Sequence, residues 1–259
     1  MNYNPKISII TVCFNSQNTL RQTIESVNSQ DYNNIEYIII DGESTDNTLK
    51  IIQECDEMID YFVSEKDNGI YDAMNKGIKA ATGNIIGILN SDDFYNSTKV
   101  ISDVVSAFVE HQCDSVYGDL VYVKEKNTKK IVRYWQSGEF TIKKLKQGWM
   151  LPHPTFFVRK FMYDKFGLYD EKLKNAADYE MILRLLYKHN ISVSYLPKTL
   201  VRMRQGGQSN LSISNRLKAN KEDSTAWTKN QLNKPILIRF KKPLLKIKQF
   251  FKRPTNEQN

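Results

Sequence analysis

Four polar clusters in the first half of the chain each follow an apolar run that reads as a strand. Asn15 follows Ile7 to Phe14, and Asp41 follows Ile35 to Ile40. Glu65 to Asp67 follow Tyr61 to Val63, and Asp92-Asp93 follow Ile85 to Leu89. Carboxylates in such places suit two kinds of chemistry. Asp92-Asp93, in GILNSDDFY, offers oxygen ligands to a hard cation that completes its shell with water or phosphate oxygens. The same pair could instead cap a helix starting near Ser97. Asp41, in IIIDGESTDNT, can accept from a base N–H or a ribose hydroxyl. Ser44, Thr45 and Asp46 beside it are natural turn and cap residues.

Asp178, in NAADYEMILRL, opens a helical pattern. It is either a general base or an acid favoured by the helix dipole. His153 lies between two prolines, where it can face a cleft or serve as a hydrogen-bonded structural residue. Trp135, Trp149 and Trp227 could stack on sugars, although single tryptophans usually belong to the core. Several chemistries lack their motifs. No GxGxxG follows the first strand, and there is no phosphate-binding Walker loop, no zinc-type histidine spacing and no GxSxG elbow.

The elements that must position these residues alternate. Strand and helix signals run βαβαβαβ from Ile7 to Leu89, with helices at Thr19–Gln30, from Ser44 or Thr45 to Cys55 and at Tyr71–Ala81, and a further helix, Val100–Glu110, and strand, Ser115–Val123, follow. Right-handed crossovers turn this pattern into a parallel sheet covered on both faces, whose ligands bind beyond the strand carboxyl ends. The polar clusters fall at those ends. The second half is less regular. A hairpin-like turn spans Lys124–Lys130, a loop spans Gln147–Pro154 and a helix spans Ala177–Lys188. Short strands follow at Ser192–Leu196 and Thr199–Met203.

At 259 residues, 41% hydrophobic and 25% charged, the chain is of ordinary globular composition. It holds no apolar run long enough to span a membrane and no secretory signal. Cys13, Cys55 and Cys113 form no paired framework and suit a reducing compartment.

The segments ISIITVCFNSQNTL, EYIIIDGESTDNT, SEKDNGIYDAMNKGIKAATG, GILNSDDFY and ADYEMILRL together resemble a family 2 glycosyltransferase, over about Lys6 to Ser209. The resemblance is to enzymes of bacterial surface polysaccharide biosynthesis. It implies an α/β, GT-A (Rossmann-like) fold: one domain with a mixed, mostly parallel central sheet flanked by helices, followed by a basic tail. Residues 1–125 would form the nucleotide-sugar half, 126–220 the acceptor half and 221–259 the tail. Carried over by position, Thr11, Phe14 and Asn15 would line the nucleotide pocket and Asp41 would hold the uracil or ribose. Asp67, Gly69, Tyr71 and Asn75 would close over the nucleotide-sugar. Asn90, Ser91 and Asp92 occupy the DxD position, with Asn90 replacing the first aspartate. Asp92 would ligate Mn2+ or Mg2+ and Asp93 would support it or contact ribose. Asp178 would be the catalytic base, Arg204 would pair with the diphosphate in a segment that includes Gly206 to Ser209, and His153 stands on the acceptor side. The implied reaction moves a hexose or N-acetylhexosamine, with inversion, from a UDP-sugar to a saccharide acceptor carried on lipid. A nucleotidyltransferase, or a non-catalytic nucleotide-sugar or nucleic-acid binding module, is the alternative.

Of the net charge of +8, the stretch Asn233–Asn259 contributes +7, from eight basic residues against Glu257. Within it Leu237, Phe240, Leu244, Ile247 and Phe251 recur at steps of three and four, interrupted by Pro243. This basic amphipathic pattern suits an anionic membrane surface contacted through residues 234–253, and no nucleic acid. The expected location is cytoplasmic, peripheral on the inner face of the cytoplasmic membrane.

Overall fold

The computed structural model describes residues 4–206, 213–235, 248–251 and 254. Its frame is a nine-stranded sheet ordered β3-β2-β1-β4-β8-β6-β9-β5, with β7 paired to β6. The strands are β1 (Ile7–Cys13), β2 (Ile35–Asp41), β3 (Tyr61–Ser64), β4 (Ile85–Ile88), β5 (Asp93–Tyr95), β6 (Ser115–Lys124), β7 (Asn127–Trp135), β8 (Phe157–Arg159) and β9 (Val193–Arg204). β1 to β4 pair in parallel, and β6 pairs in parallel with β9. β8 lies antiparallel between β4 and β6, so β6 and β9 point the same way as the first four strands. Six strands therefore share a direction and end on one edge of the sheet.

β1 shows why these residues make a central strand. Every one of its residues is buried, and alternate side chains enter opposite cores. Ile7 and Ile9 join the helices α1 (Leu20–Asn28) and α4 (Val100–His111) in one core. Ile10 and Val12 join α3 (Ile70–Ala80), α6 (Lys160–Phe166) and α7 (Ala177–Ile182) in the other. Each such fully buried side chain contributes roughly 1.5–3 kcal/mol.

The second half departs from its sequence pattern in three places. The two short strands expected after Ser192 are one long β9, whose register with β6 breaks between Tyr195 and Thr199. Pro197, which has no N–H to donate, sits at that break. The polar hairpin turn is only residues 125–126, because Asn127 already pairs with Lys124. Asp93 is not a cap for the following helix. It begins β5, and α4 starts with Lys99 as its cap residue and no side-chain cap bond. After α7 the backbone continues as a π-helical stretch, Leu183–Lys188. α8 (Ile213–Lys229) packs on α7 through Trp227, whose indole N–H donates to the Tyr179 hydroxyl at 2.9 Å. Trp227 is thus core. No helix among the described residues is long and apolar enough to cross a membrane. Leu237, Phe240, Leu244 and Ile247 of the amphipathic pattern, and Gly207, Gln208 and Ser209, lie outside the described residues.

Candidate active site

The shared carboxyl edge gathers most of the residues singled out above. Phe14 and Asn15 follow β1, and Phe14 is exposed, with a ring edge close to Gly42. Asn15 adopts positive φ, which an asparagine tolerates. Its Oδ1 accepts from the Thr45 N–H at 2.9 Å, and its own N–H donates to Ser44 Oγ at 2.8 Å. Asp41 anchors this turn from beneath and is fully buried. It accepts from Ser44 N–H (2.9 Å), Ser44 Oγ (2.5 Å), Ser64 Oγ (2.7 Å) and the Cys13 thiol (3.4 Å). Asp41 can reach a base only by releasing one of these donors, and as it stands it fixes the turn. Gly42 is required by proximity: a Cβ there would lie 2.4 Å from Asp67 Oδ2. Asp67 also receives the Gly69 N–H at 2.8 Å, and Gly69 opens α3 at φ +115°, open to glycine and strained for other residues. Thr11 is placed differently from its expected role: its side chain is fully buried in the α1 and α4 core, where it accepts from the Tyr37 hydroxyl at 3.0 Å.

The Asn90–Asp93 turn is held from behind. Thr23 Oγ1 donates to the carbonyls of Ser91 (3.0 Å) and Asp93 (2.7 Å), and Ser91 Oγ meets Ser16 Oγ at 2.8 Å. Arg204 donates to the Asp92 carbonyl and to Gln22, and lies 5.0 Å over the Phe94 ring. Nearly buried, Arg204 braces the turn instead of standing free for a diphosphate. Thr23 and Gln22 escaped the sequence reading because nothing in an amphipathic helix marks which polar residue faces inward.

By contrast, Asn90 Oδ1 and both Asp93 carboxylate oxygens are buried without a hydrogen-bond partner. Burial, then the neighbouring Asp92, pushes the Asp93 carboxyl well up, and burial also raises Asp92. Orphaned oxygens of this kind fit a hard cation. No group of three or more His, Cys, Asp or Glu side chains among the described residues forms a cation cage. A cation held by Asp92 and Asp93 would therefore take most of its shell from water and phosphate.

Asp178 enters this edge from α7. Its Oδ1 accepts from the Tyr71 hydroxyl at 3.1 Å, and its Oδ2 lies 3.1 Å from His153 Nδ1. Burial raises its carboxyl, but the His153 hydrogen bond and charge, the Tyr179 N–H and Tyr71 outweigh that and leave it below the usual carboxylate range. It is ionised at neutral pH. His153 reaches it from the 3-10 turn His153–Thr155, where Thr155 Oγ1 donates to the Gly118 carbonyl at 3.1 Å. Asn75, one helical turn after Tyr71, spends its amide on the loop that follows α6. Its amide binds the backbone of Tyr169 on both sides, at 2.9 Å each, and Glu171 at 2.8 Å. That anchor stacks Tyr169 on Tyr71 with ring centroids 5.6 Å apart. Asn75 is thus a positioning residue.

One further buried acid, Asp119, was not singled out from sequence. It accepts from Tyr134 (2.5 Å), Tyr195 (2.8 Å) and the Ser137 N–H (2.7 Å), tying β6, β7 and β9 together. The signal was an acid inside an apolar strand, in YGDLV.

Comparison with known proteins places this geometry. An uncharacterised glycosyltransferase of Mycobacterium tuberculosis is 34% identical over 185 residues, which are 70% of this chain and 68% of the relative. A PGL/p-HBAD biosynthesis glycosyltransferase of Mycobacterium bovis is 27% identical over 204 residues, 74% of this chain and 77% of the relative. Among solved structures, S. aureus TarS in complex with UDP-GlcNAc superposes with a TM-score of 0.70 at 19% identity, covering 91% of this chain and 69% of that one. The mannosyltransferase PcManGT of Pyrobaculum calidifontis, in complex with GDP-Man and Mn2+, gives 0.66 at 14% identity, covering 93% and 73%. These superpositions show the GT-A fold. The family model for glycosyl transferase family 2 matches residues 8–167, well over half of the chain, and the chain belongs to that family.

Proposed function

We propose that this glycosyltransferase moves a hexose or N-acetylhexosamine from a UDP-sugar to a saccharide acceptor carried on lipid, with inversion, in surface polysaccharide biosynthesis. The observation that carries the reading is the Asp178 carboxylate, ionised and aimed by His153 and Tyr71 at the edge where the under-supplied Asp92-Asp93 turn also ends. TarS with UDP-GlcNAc and the M. bovis relative support the donor and the biosynthetic setting.

In the proposed reaction Asp178 accepts the proton of the acceptor hydroxyl as that oxygen bonds the anomeric carbon. The bond from that carbon to the diphosphate breaks on the opposite face, and UDP departs with the electron pair. His153 and Tyr71 donate to Asp178 and hold its orientation. Phe14 offers its ring to the base, and Asn15, Asp41, Asp67, Gly69 and Ser91 shape the walls. Mn2+ or Mg2+ held by Asp92 and Asp93 would neutralise the departing diphosphate. Residues 1–125 serve as the donor half and 126–220 as the acceptor half. Residues 221–259 bring the enzyme to the inner face of the cytoplasmic membrane.

The test is calorimetric titration with UDP, GDP, CDP and dTDP, with and without Mn2+, beside UDP release from UDP-sugars in the presence of lipid-linked saccharides. UDP binds, more tightly with Mn2+. Asp178→Asn keeps that binding and loses about a thousandfold in turnover. Absence of nucleoside diphosphate binding overturns the reading, and undiminished turnover removes Asp178 as base.

A further inference from the structure

The excess positive charge of the chain resides in two segments. Lys124 to Arg133 holds five bases against Glu125, a sum of +4, beside the +7 of the tail. All other residues therefore sum to −3. The near-neutral body conceals a basic hairpin, made by the end of β6 and the start of β7. Lys124, Lys126, Lys129 and Lys130 are all exposed there.

The structure joins the two segments. Arg133 Nε donates to Gln249 Oε1 at 2.8 Å. The Arg133 guanidinium lies 4.6 Å over the Tyr122 ring, 5.6 Å over Trp135 and 5.3 Å over Phe250. Gln249 and Phe250 are thereby held against β7, the outer strand of the hairpin. Beside Gln249, Phe250 is 50% exposed and Phe251 84% exposed, the largest exposure among the exposed large apolar side chains of the described residues. The hairpin tip also adjoins the active edge. Val123 pairs with Arg204, the residue that donates to the Asp92 carbonyl, and the Gln205 N–H donates to the Val123 carbonyl at 3.0 Å.

We infer that the β6–β7 hairpin and residues 249–251 form one docking surface for an anionic lipid bilayer, and that it sets the catalytic edge against that bilayer. This rests on the transferase reading above for its biological use, and adds the hairpin to the tail. Charge complementarity names the occupant: lysine ammonium groups at the rim meet lipid phosphates, and adjacent phenylalanines enter the acyl boundary. A duplex nucleic acid would answer the charge, but its bases, already stacked on one another, leave the two exposed phenylalanines without a partner.

The experiment is co-sedimentation of the full chain with phosphatidylcholine vesicles, with and without phosphatidylglycerol, with UDP titration as the control for fold. Lys126→Glu/Lys129→Glu/Lys130→Glu loses more than about a hundredfold in partitioning to the anionic vesicles, since each basic residue near such a surface contributes about fivefold and the glutamates add repulsion. It keeps its UDP titration. The milder Lys129→Gln/Lys130→Gln loses about 25-fold. Arg133→Gln weakens partitioning in the intact chain and adds no further loss in a Phe250→Ser/Phe251→Ser background, because the two act through one contact. Undiminished binding by the lysine variants overturns the proposal. So does equal binding to pure phosphatidylcholine, or a duplex oligonucleotide that displaces the vesicles. A wild-type chain that binds anionic vesicles but no nucleoside diphosphate leaves this surface standing and removes the transferase reading. The reverse result removes only the surface.

Discussion

Asp41 and Asp93 are both fully buried carboxylates just beyond parallel strands, yet their surroundings are opposite. Asp41 accepts four hydrogen bonds, two of them from Ser44 alone. Neither Asp93 oxygen, nor Asn90 Oδ1 beside it, meets a donor in hydrogen-bond geometry, and the nearby Arg204 N–H, Arg204 charge and Asn90 side chain do not offset the burial of Asp93. A buried acid with every acceptor filled holds a turn in shape. A buried acid with none is unstable as an anion until a ligand supplies positive charge. Both lie on the carboxyl edge of the parallel strands, so that placement does not tell them apart; the count of donors does.

The strongest way to break this comparison is through ligand binding. Asp92→Ala is expected to weaken Mn2+-supported UDP binding by about a hundredfold, while leaving whatever binding is independent of metal. Calorimetry with and without Mn2+ reads both. Equal affinities in the variant and the parent would mean that the orphaned turn serves no cation. Asp41→Asn tests the other side. Its amide would point a donor at groups that are themselves donors, and it should cost roughly 2–3 kcal/mol in urea unfolding. A stable Asp41→Asn protein with lost UDP affinity would reverse the assignment and make Asp41 the ligand. Asp93→Asn has the opposite sign. Burial pushes the Asp93 carboxyl well up, so ionising it costs the fold stability as pH rises; the amide should remove that pH-dependent loss from metal-free urea unfolding and abolish any stabilisation by Mn2+.

The same contrast explains how much was legible. The first four strands could be read because each is a short, mainly apolar and β-branched or aromatic run between turn residues, and their order put the polar clusters on one edge. The acceptor half could not. β8 is three residues long, and β9 crosses a proline, so neither carries a clear period. At the site, Asp178 and His153 could each be nominated alone, but their 3.1 Å contact joins residues 25 apart through two irregular segments. Thr11, Asn75 and Arg204 had the right types and positions, and still spend their polar atoms on the scaffold. Residue type locates a group along the chain, whereas donor counts come only from packing.

Glu36 sharpens the comparison from the far edge of the sheet. It lies at the start of β2, away from the strand carboxyl ends, and is as saturated as Asp41. Lys6 Nζ donates at 2.7 Å, Ser8 Oγ at 2.5 Å, the Thr82 N–H at 2.8 Å and Thr82 Oγ1 at 2.5 Å. Burial alone would raise its carboxyl, but these donors hold it at about 2, against 4.5 for the free group. A depressed acid stabilises the fold above its unfolded value and loses that contribution as pH falls toward its folded value. Glu36 should therefore support the fold fully above about pH 4.5 and progressively less down to about pH 2. Glu36→Gln should remove that slope, while costing only about 1 kcal/mol at neutral pH because Lys6 is partly in solvent and salt screens it. Urea midpoints measured across this range for parent and variant decide the matter. Parallel curves would mean that the donors around Glu36 do not favour its anion. A slope lost only in the variant, with UDP binding untouched, would show that this saturated carboxylate, far from the carboxyl edge, is scaffold, in contrast to the unsaturated turn after β4.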